Sequence, residues 1–179
     1  MVIQRSPHFR ENRLLSSFPT TTRRLKIVGV TPDLAASERG VRADFANAVQ
    51  ADVPASWPPE FPSPSDEHEN LAWNNYYLIL SGETGDTLVG FVGLAPYPTE
   101  TRAIEFGVAI VPEHRRKGIA QEFISAIAQW ACSEQELDYV VTDAHVGHEG
   151  ALGILEPLGF TKALDVPEPG FERFTLFVG

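Results

Sequence analysis

Two short stretches of this chain carry residue types that could do chemistry together. The first is Glu105, the one charged residue in the run Ala103-Ile104-Glu105-Phe106-Gly107-Val108-Ala109-Ile110. The second is Arg115-Arg116-Lys117-Gly118, just beyond it. Side chains alternate along a strand, so Ile104, Phe106, Val108 and Ile110 would share one bulky apolar face and Glu105, Gly107 and Ala109 the other. A face with so little side-chain volume leaves room for a ligand against the backbone. A carboxylate set there, close to the core, has the environment that suits a general base near neutrality, whereas on an exposed face it would be an ordinary surface acid.

Beyond Gly118 the apolar positions Ile119, Phe123, Ile127 and Trp130, flanked by Ala120, Ile124 and Ala131, recur at helical spacing. Gly118 therefore falls in the first turn of a helix. That turn offers unpaired backbone N–H groups and the positive end of the helix dipole, which disfavour cations by roughly 0.3–1 kcal/mol per charge. Three consecutive cations are locally unfavourable there unless an anion sits among them, approached closely because Gly118 has no side chain. The alternative is a solvated basic turn ahead of a surface helix. Charge distribution weighs against it. Of the 14 Lys/Arg, six lie within the first 26 residues, so the remainder is strongly acidic and gathers three of its eight cations in this one turn.

A chain of 179 residues with ordinary apolar and charged fractions is most simply one globular unit. The expected division is a flexible extension over 1–22 and a single domain over 23–179. One cysteine, Cys132, excludes an internal disulfide framework and fits a reducing compartment; late in the helix it is expected as a small buried hydrophobe. No apolar run approaches a membrane span and the N-terminus has no apolar secretion core, so the expectation is a cytoplasmic protein with no membrane partner. An organelle transit segment is the alternative reading of residues 1–22. The acidic surface argues against nucleic acid. His145, His148 and Glu149 stand near a glycine but lack metal-site spacing, so no metal is expected.

Several elements must position these residues. Arg24 to Val30 reads as a strand, and Thr31-Pro32-Asp33 opens a helix whose stripe Leu34, Val41, Phe45 and Val49 runs to about residue 52. A proline-rich connector over 53–65 holds Trp57 and Phe61, packing on the core or walling a pocket. A short helix over 65–73 follows. Strands at 75–81 and 87–94 form a hairpin, 102–110 is the strand bearing Glu105, and after the long helix come a strand at 139–142, a helix over 149–158 and strands near 161–164 and 171–178.

Arg115-Arg116-Lys117-Gly118-Ile119-Ala120 fits the Q/R-x-x-G-x-G/A motif of the GNAT acetyltransferase superfamily, which the chain resembles. Val111-Pro112-Glu113 is similar to the usual lead-in, and Leu158-Gly159-Phe160 to the usual close of the helix after the fifth strand. Arg24-Leu25, Thr31-Pro32-Asp33 and Ile154-Leu155-Glu156 resemble most the branch that acetylates ribosomal-protein N-termini, the RimJ/RimL-like one. The resemblance implies an α/β (α+β) fold with a mixed, mostly antiparallel sheet of about six to seven strands and about four helices. It implies acetyl-CoA as acyl donor. Backbone groups of Val108, Ala109 and Ile110 would bond its pantetheine arm, and Arg115, Arg116, Lys117, Gly118, Ile119, Ala120 and Gln121 would form the turn around its pyrophosphate.

By the same resemblance Glu105 matches a strand carboxylate that some members use as base. His148 stands where many members have a cofactor-side Asn, Ala151 where a Ser is frequent, and Leu155 where some have a proton-donating Tyr. Either His148 or His145 replaces that donor, or the thiolate leaves unassisted, as a thiol of pKa ~8.5 can. The expected reaction is direct acetyl transfer to a primary amine on a peptide, protein or small molecule, by a monomer or homodimer. The alternative is a catalytically silent acetyl-CoA sensor or interaction module.

Overall fold

A computed structural model describes residues 17–60, 74–96, 102–134, 137–164 and 169–179. Its strands are β1 (Leu25–Gly29), β2 (Asn74–Leu80), β3 (Thr87–Pro96), β4 (Ala103–Ile110), β5 (Tyr139–His145), β6 (Thr161–Lys162) and β7 (Phe171–Phe177). Its helices are α1 (Pro32–Glu38), α2 (Arg42–Val49), α3 (Ile119–Ser133) and α4 (Glu149–Leu155), with single 3-10 turns at Pro112–His114 and Glu156–Leu158. One seven-stranded sheet runs in the order β1-β2-β3-β4-β5-β7-β6. Only β4 and β5 are parallel, because α3 carries the chain between them; every other pairing is antiparallel. The mixed, mostly antiparallel sheet and four helices match the expected fold class.

Apolar side chains cover both faces of the sheet. Adjacent residues on β2 point to opposite sides, and the two tyrosines there mark the two cores. Tyr76 meets Phe18, whose ring also packs edge-on against Trp130 of α3 at 5.1 Å between centroids. Tyr77 faces the other way, onto Phe45 of α2 and Trp57 of the proline-rich connector. Glu38 of α1 accepts hydrogen bonds from Trp57 Nε1 (2.9 Å) and the Tyr77 hydroxyl (2.7 Å). Burial, followed by the hydrogen bond to Glu38 and then its charge, pushes the Tyr77 phenol well above its ordinary value, so Tyr77 stays a donor.

α3 forms as its periodicity predicts: Ile119, Phe123, Ile124, Ile127, Trp130 and Ala131 are its buried residues. Cys132 is exposed, correcting the expectation of burial. It lies one position past the buried Ala131, a turn of about 100° off the stripe. The single helix expected from 31 to about 52 is two. Gly40 donates its N–H to Ser37 O and ends the first turn tightly, and Val41, expected in the stripe, starts α2 at 65% exposure. The strand expected to end at Thr142 continues to His145, and the one near 161–164 is only Thr161–Lys162.

Residues 17–22, expected in a flexible extension, lie packed along α3. Phe18 is buried in the core, Ser17 Oγ donates to Glu134 (2.6 Å) and accepts from Trp130 Nε1 (3.0 Å), and Thr21 bridges Lys26. The helix expected over 65–73 and Phe61 lie outside the described residues.

Candidate active site

β4 and β5 pair over three positions only, Ala103↔Tyr139, Ile104↔Val140 and Glu105↔Val141. β4 then follows β3 to its end at Ile110, while Thr142 to His145 of β5 follow β7, so the two parallel strands part in a V. Glu105 is the last paired residue of β4 and therefore stands at the vertex. It is 5% exposed. Glu105 shares its face with Gly107 and Ala109, with Gly93 and Ala95 on β3 and with the buried Val141 on β5, so its neighbours are small on the β3 side.

The arm of β4 beyond the vertex has one edge free of strand pairing. Val111 N–H bonds Val89 O of β3. Antiparallel pairs alternate, so Val111, Ala109 and Gly107 direct their backbone groups into the β3 ladder while Val108 and Ile110 direct theirs into the V. Of the three backbone positions expected to meet a ligand, Val108 and Ile110 therefore face the opening and Ala109 faces β3. Arg115 Nε reaches back to bond Ile110 O at 2.9 Å, which places its guanidinium across the wide end of the V.

The turn itself is built in three steps. Pro112–His114 forms a 3-10 turn whose Glu113 accepts from Ser56 Oγ at 2.5 Å, a bond that holds the Glu113 carboxyl below its usual range. His114 is pushed below its ordinary value, first by burial and then by the nearby Lys117 charge. Arg116 takes a positive φ of 57°, and Gly118 another of 74° as the residue capping α3. Left-handed residues alternating with ordinary ones turn successive N–H groups inward as an anion nest. No side chain caps α3, so the N–H groups of its first turn are not consumed by the protein's own oxygens. Arg116, Lys117 and Gly118 are exposed, and neither cation has an ion-pair partner among the described residues. Ile119 is buried, anchoring the helix start, while Ala120 is half-buried and Gln121 exposed.

On the β5 side of the V, His148 caps α4: its Nδ1 accepts the Ala151 N–H at 2.9 Å. An accepting Nδ1 leaves the ring proton of a neutral His148 on Nε2, as a donor. His145 ends β5 and stacks on Phe171, ring centroids 4.2 Å apart. Leu155 is buried and has no proton to give. Among the described residues no group of His, Cys, Asp and Glu could hold a metal ion, and no helix is long and apolar enough to cross a membrane.

One contributor to the site is joined to it by no local pattern. Arg24, at the edge of β1, bonds both Glu122 in the first turn of α3 and the Lys117 carbonyl. The sequence marks Arg24 through the Arg24-Leu25 pair and marks Glu122 as an acid close behind a cationic turn, but nothing local joins the two.

A family model described as an acetyltransferase (GNAT) domain matches residues 35–161. The chain is 33% identical to the uncharacterized N-acetyltransferase YjdG of Bacillus subtilis (strain 168) over 73 residues, which are 41% of this chain and 44% of YjdG; it thus matches less than half the length of that relative. A GNAT-family acetyltransferase from Bacillus anthracis superposes with a TM-score of 0.56 at 18% identity, over 88% of this chain and 97% of that one. RimL, a ribosomal L7/L12 alpha-N-protein acetyltransferase in complex with coenzyme A, superposes with a TM-score of 0.58 at 11% identity, over 90% of this chain and 97% of its own.

Proposed function

The chain belongs to the GNAT acetyltransferase family, and on that premise we propose that it transfers an acetyl group from acetyl-CoA to a primary amine by direct attack. The observation that carries the proposal is the V between β4 and β5, with Glu105 at its vertex and the Arg116–Gly118 nest at its rim. The donor's pantetheine amides would pair with the V-facing backbone groups of Val108 and Ile110 as an added strand does, and Ala109 would contribute its small size. Arg116, Lys117, Gly118, Ile119, Ala120 and Gln121 would surround the pyrophosphate, with Arg115 closing the rim through its bond to Ile110 O. The V-facing N–H groups of β4 would also polarise the thioester carbonyl as its oxygen gains charge in the transition state.

Glu105 takes the ammonium proton of the acceptor, directly or through water. Deprotonation at pH 7 costs about 1 kcal/mol for an α-amine of pKa ~7.8 and about 4.6 kcal/mol for a lysine of pKa ~10.4. An N-terminal α-amine is the easier acceptor, which agrees with the activity in RimL's name and with the RimJ/RimL-like motifs. The His148 Nε2–H is the donor available near the start of α4, where it could bond the cofactor or the departing thiolate. The working unit is a single domain over 23–179, with the strap 17–22 as part of its packing, in a cytoplasmic monomer or homodimer.

The test is calorimetric titration with acetyl-CoA, followed by CoA release on addition of peptides bearing free N-termini. Binding should be micromolar and should weaken by about tenfold in the double variant Arg115→Ala, Arg116→Ala, as the loss of two charge-assisted contacts predicts. Absence of binding would remove the acetyltransferase reading. Binding without CoA release from any amine would leave the silent module.

A further inference from the structure

We propose that Arg24 is a positioning residue for the anion-binding turn: it orients the Lys117–Gly118 peptide and neutralises Glu122, so that the turn offers N–H groups to the donor's pyrophosphate. The inference rests on the acetyl-CoA reading above.

Arg24 reaches the turn from the far edge strand of the sheet. Both terminal nitrogens of its guanidinium donate to the Lys117 carbonyl at 3.2 Å. Its Nε donates to Glu122 Oε2 at 2.6 Å and its backbone N–H to Glu122 Oε1 at 2.7 Å, where the Thr22 hydroxyl also donates. Across a trans peptide the carbonyl and the following N–H point in opposite directions. A Lys117 carbonyl drawn toward Arg24 therefore sends the Gly118 N–H away from Arg24. Gly118, at φ +74°, has no Cβ to resist rotation of that peptide, so sequence alone does not hold the plane. Released, the plane can turn its oxygen toward the anion.

Charge gives the second half of the argument. Glu122 sits in the first turn of α3, beside the phosphate turn. Burial alone would raise its carboxyl, but the hydrogen bonds from Thr22 and Arg24, with the Arg24 charge, outweigh burial and hold it below the usual carboxylate range. Glu122 is thus anionic where another anion is to bind, and Arg24 is its counter-charge. Replacing Arg24 uncovers that repulsion. It does not open the core, because the Arg24 side chain is 37% exposed and borders a groove of about 810 Å³ between the strap and α3.

The experiment compares two acyl donors: acetyl-CoA and acetyl-pantetheine, which keeps the thioester but has no pyrophosphate. Arg24→Ala should raise KM for acetyl-CoA by about tenfold or more, the size expected for lost charge-assisted bonds, with kcat at saturation nearly unchanged. KM for acetyl-pantetheine should stay within about twofold, since its recognition uses only the V. Arg24→Lys keeps the charge without the fork and should fall between. Adding Glu122→Gln to Arg24→Ala should recover part of the loss.

An unchanged KM for acetyl-CoA would overturn the inference, and so would equal losses with both donors, which mark a merely structural residue. If Arg24→Ala does not fold, Arg24→Lys decides by the same comparison of donors. Failure of the unaltered protein to bind or turn over acetyl-CoA would overturn the functional reading and this inference with it. Normal behaviour of the unaltered protein with an indifferent Arg24 variant would overturn this inference alone.

Discussion

Helices α3 and α4 both begin beside the V, one reached from β4 and the other from β5, and they begin in different ways. α4 closes its own first turn: His148 Nδ1 takes the Ala151 N–H, much as Thr31 Oγ1 takes the Leu34 N–H at the start of α1. α3, the longest helix described, starts at a left-handed Gly118 with no side-chain cap. α2 is uncapped too, at Val41, and carries Asp44 in its first turn as α3 carries Glu122, so neither the missing cap nor the acid separates the two. Among the described helices, only α3 has an open start that follows three cations and two positive φ angles. On the acetyl-CoA reading, the open start of α3 differs from that of α2 in the charge and backbone arranged around it.

The largest effect should appear between the two helix starts. Glu105→Gln should lower turnover by about 10²–10⁴, the usual worth of a general base, while acetyl-CoA affinity measured by calorimetry stays the same. A retained rate would put the base elsewhere and leave the vertex structural. Next, Gly118→Ala should weaken acetyl-CoA binding by about tenfold, because a Cβ at φ +74° costs roughly 1–2 kcal/mol in the conformation the nest requires. Unaltered affinity would mean the turn does not need its left-handed residue.

At α4 the expectations concern stability first. His148→Ala should cost about 1 kcal/mol by thermal or urea unfolding, whereas Asn, which also caps, should cost far less. Equal losses would deny the cap its role. Gly153, inside α4 with nothing within 4 Å of an added Cβ, should accept Ala with a gain of about 0.5–1 kcal/mol, the opposite sign to Gly118. A loss at Gly153 would blur the contrast between the two helices.

The smallest effect is a pH dependence. Glu122 has its carboxyl lowered in the folded state, so the unfolded chain binds more protons between the folded value and the ordinary 4.5. Its contribution is complete above pH 4.5 and is lost as pH falls through the lowered value. Unfolding of the protein and of Glu122→Gln, compared from pH 7 downward, should therefore show a gap that closes in acid; a constant gap would contradict the Arg24–Glu122 tie.

Much of this was legible because it is periodic or local. The stripe of α3 reads at 3.6 residues, the faces of β4 read at two, and Thr31-Pro32 marks a helix start by its own chemistry. The two-helix break at Gly40 was harder, since the apolar spacing of Leu34, Val41, Phe45 and Val49 continues across it while the backbone does not. Cys132 misled because one position along a helix is a turn of about 100°, enough to carry a side chain from core to solvent. Ala109 was grouped with Val108 and Ile110, although pairing with β3 assigns its backbone to the ladder.

By itself the sequence determined the strand bearing Glu105, the basic turn, the helix behind it and hence the family likeness, because each depends on contacts between near neighbours along the chain. Tertiary structure alone decided that β5 leaves β4 at Glu105–Val141 to follow β7, and that Arg24 crosses from β1 to hold the turn. Those are choices among distant partners. The Arg24 and Lys117 groups are 93 residues apart, and which of many possible ladders and ion pairs forms is settled only when the whole core packs.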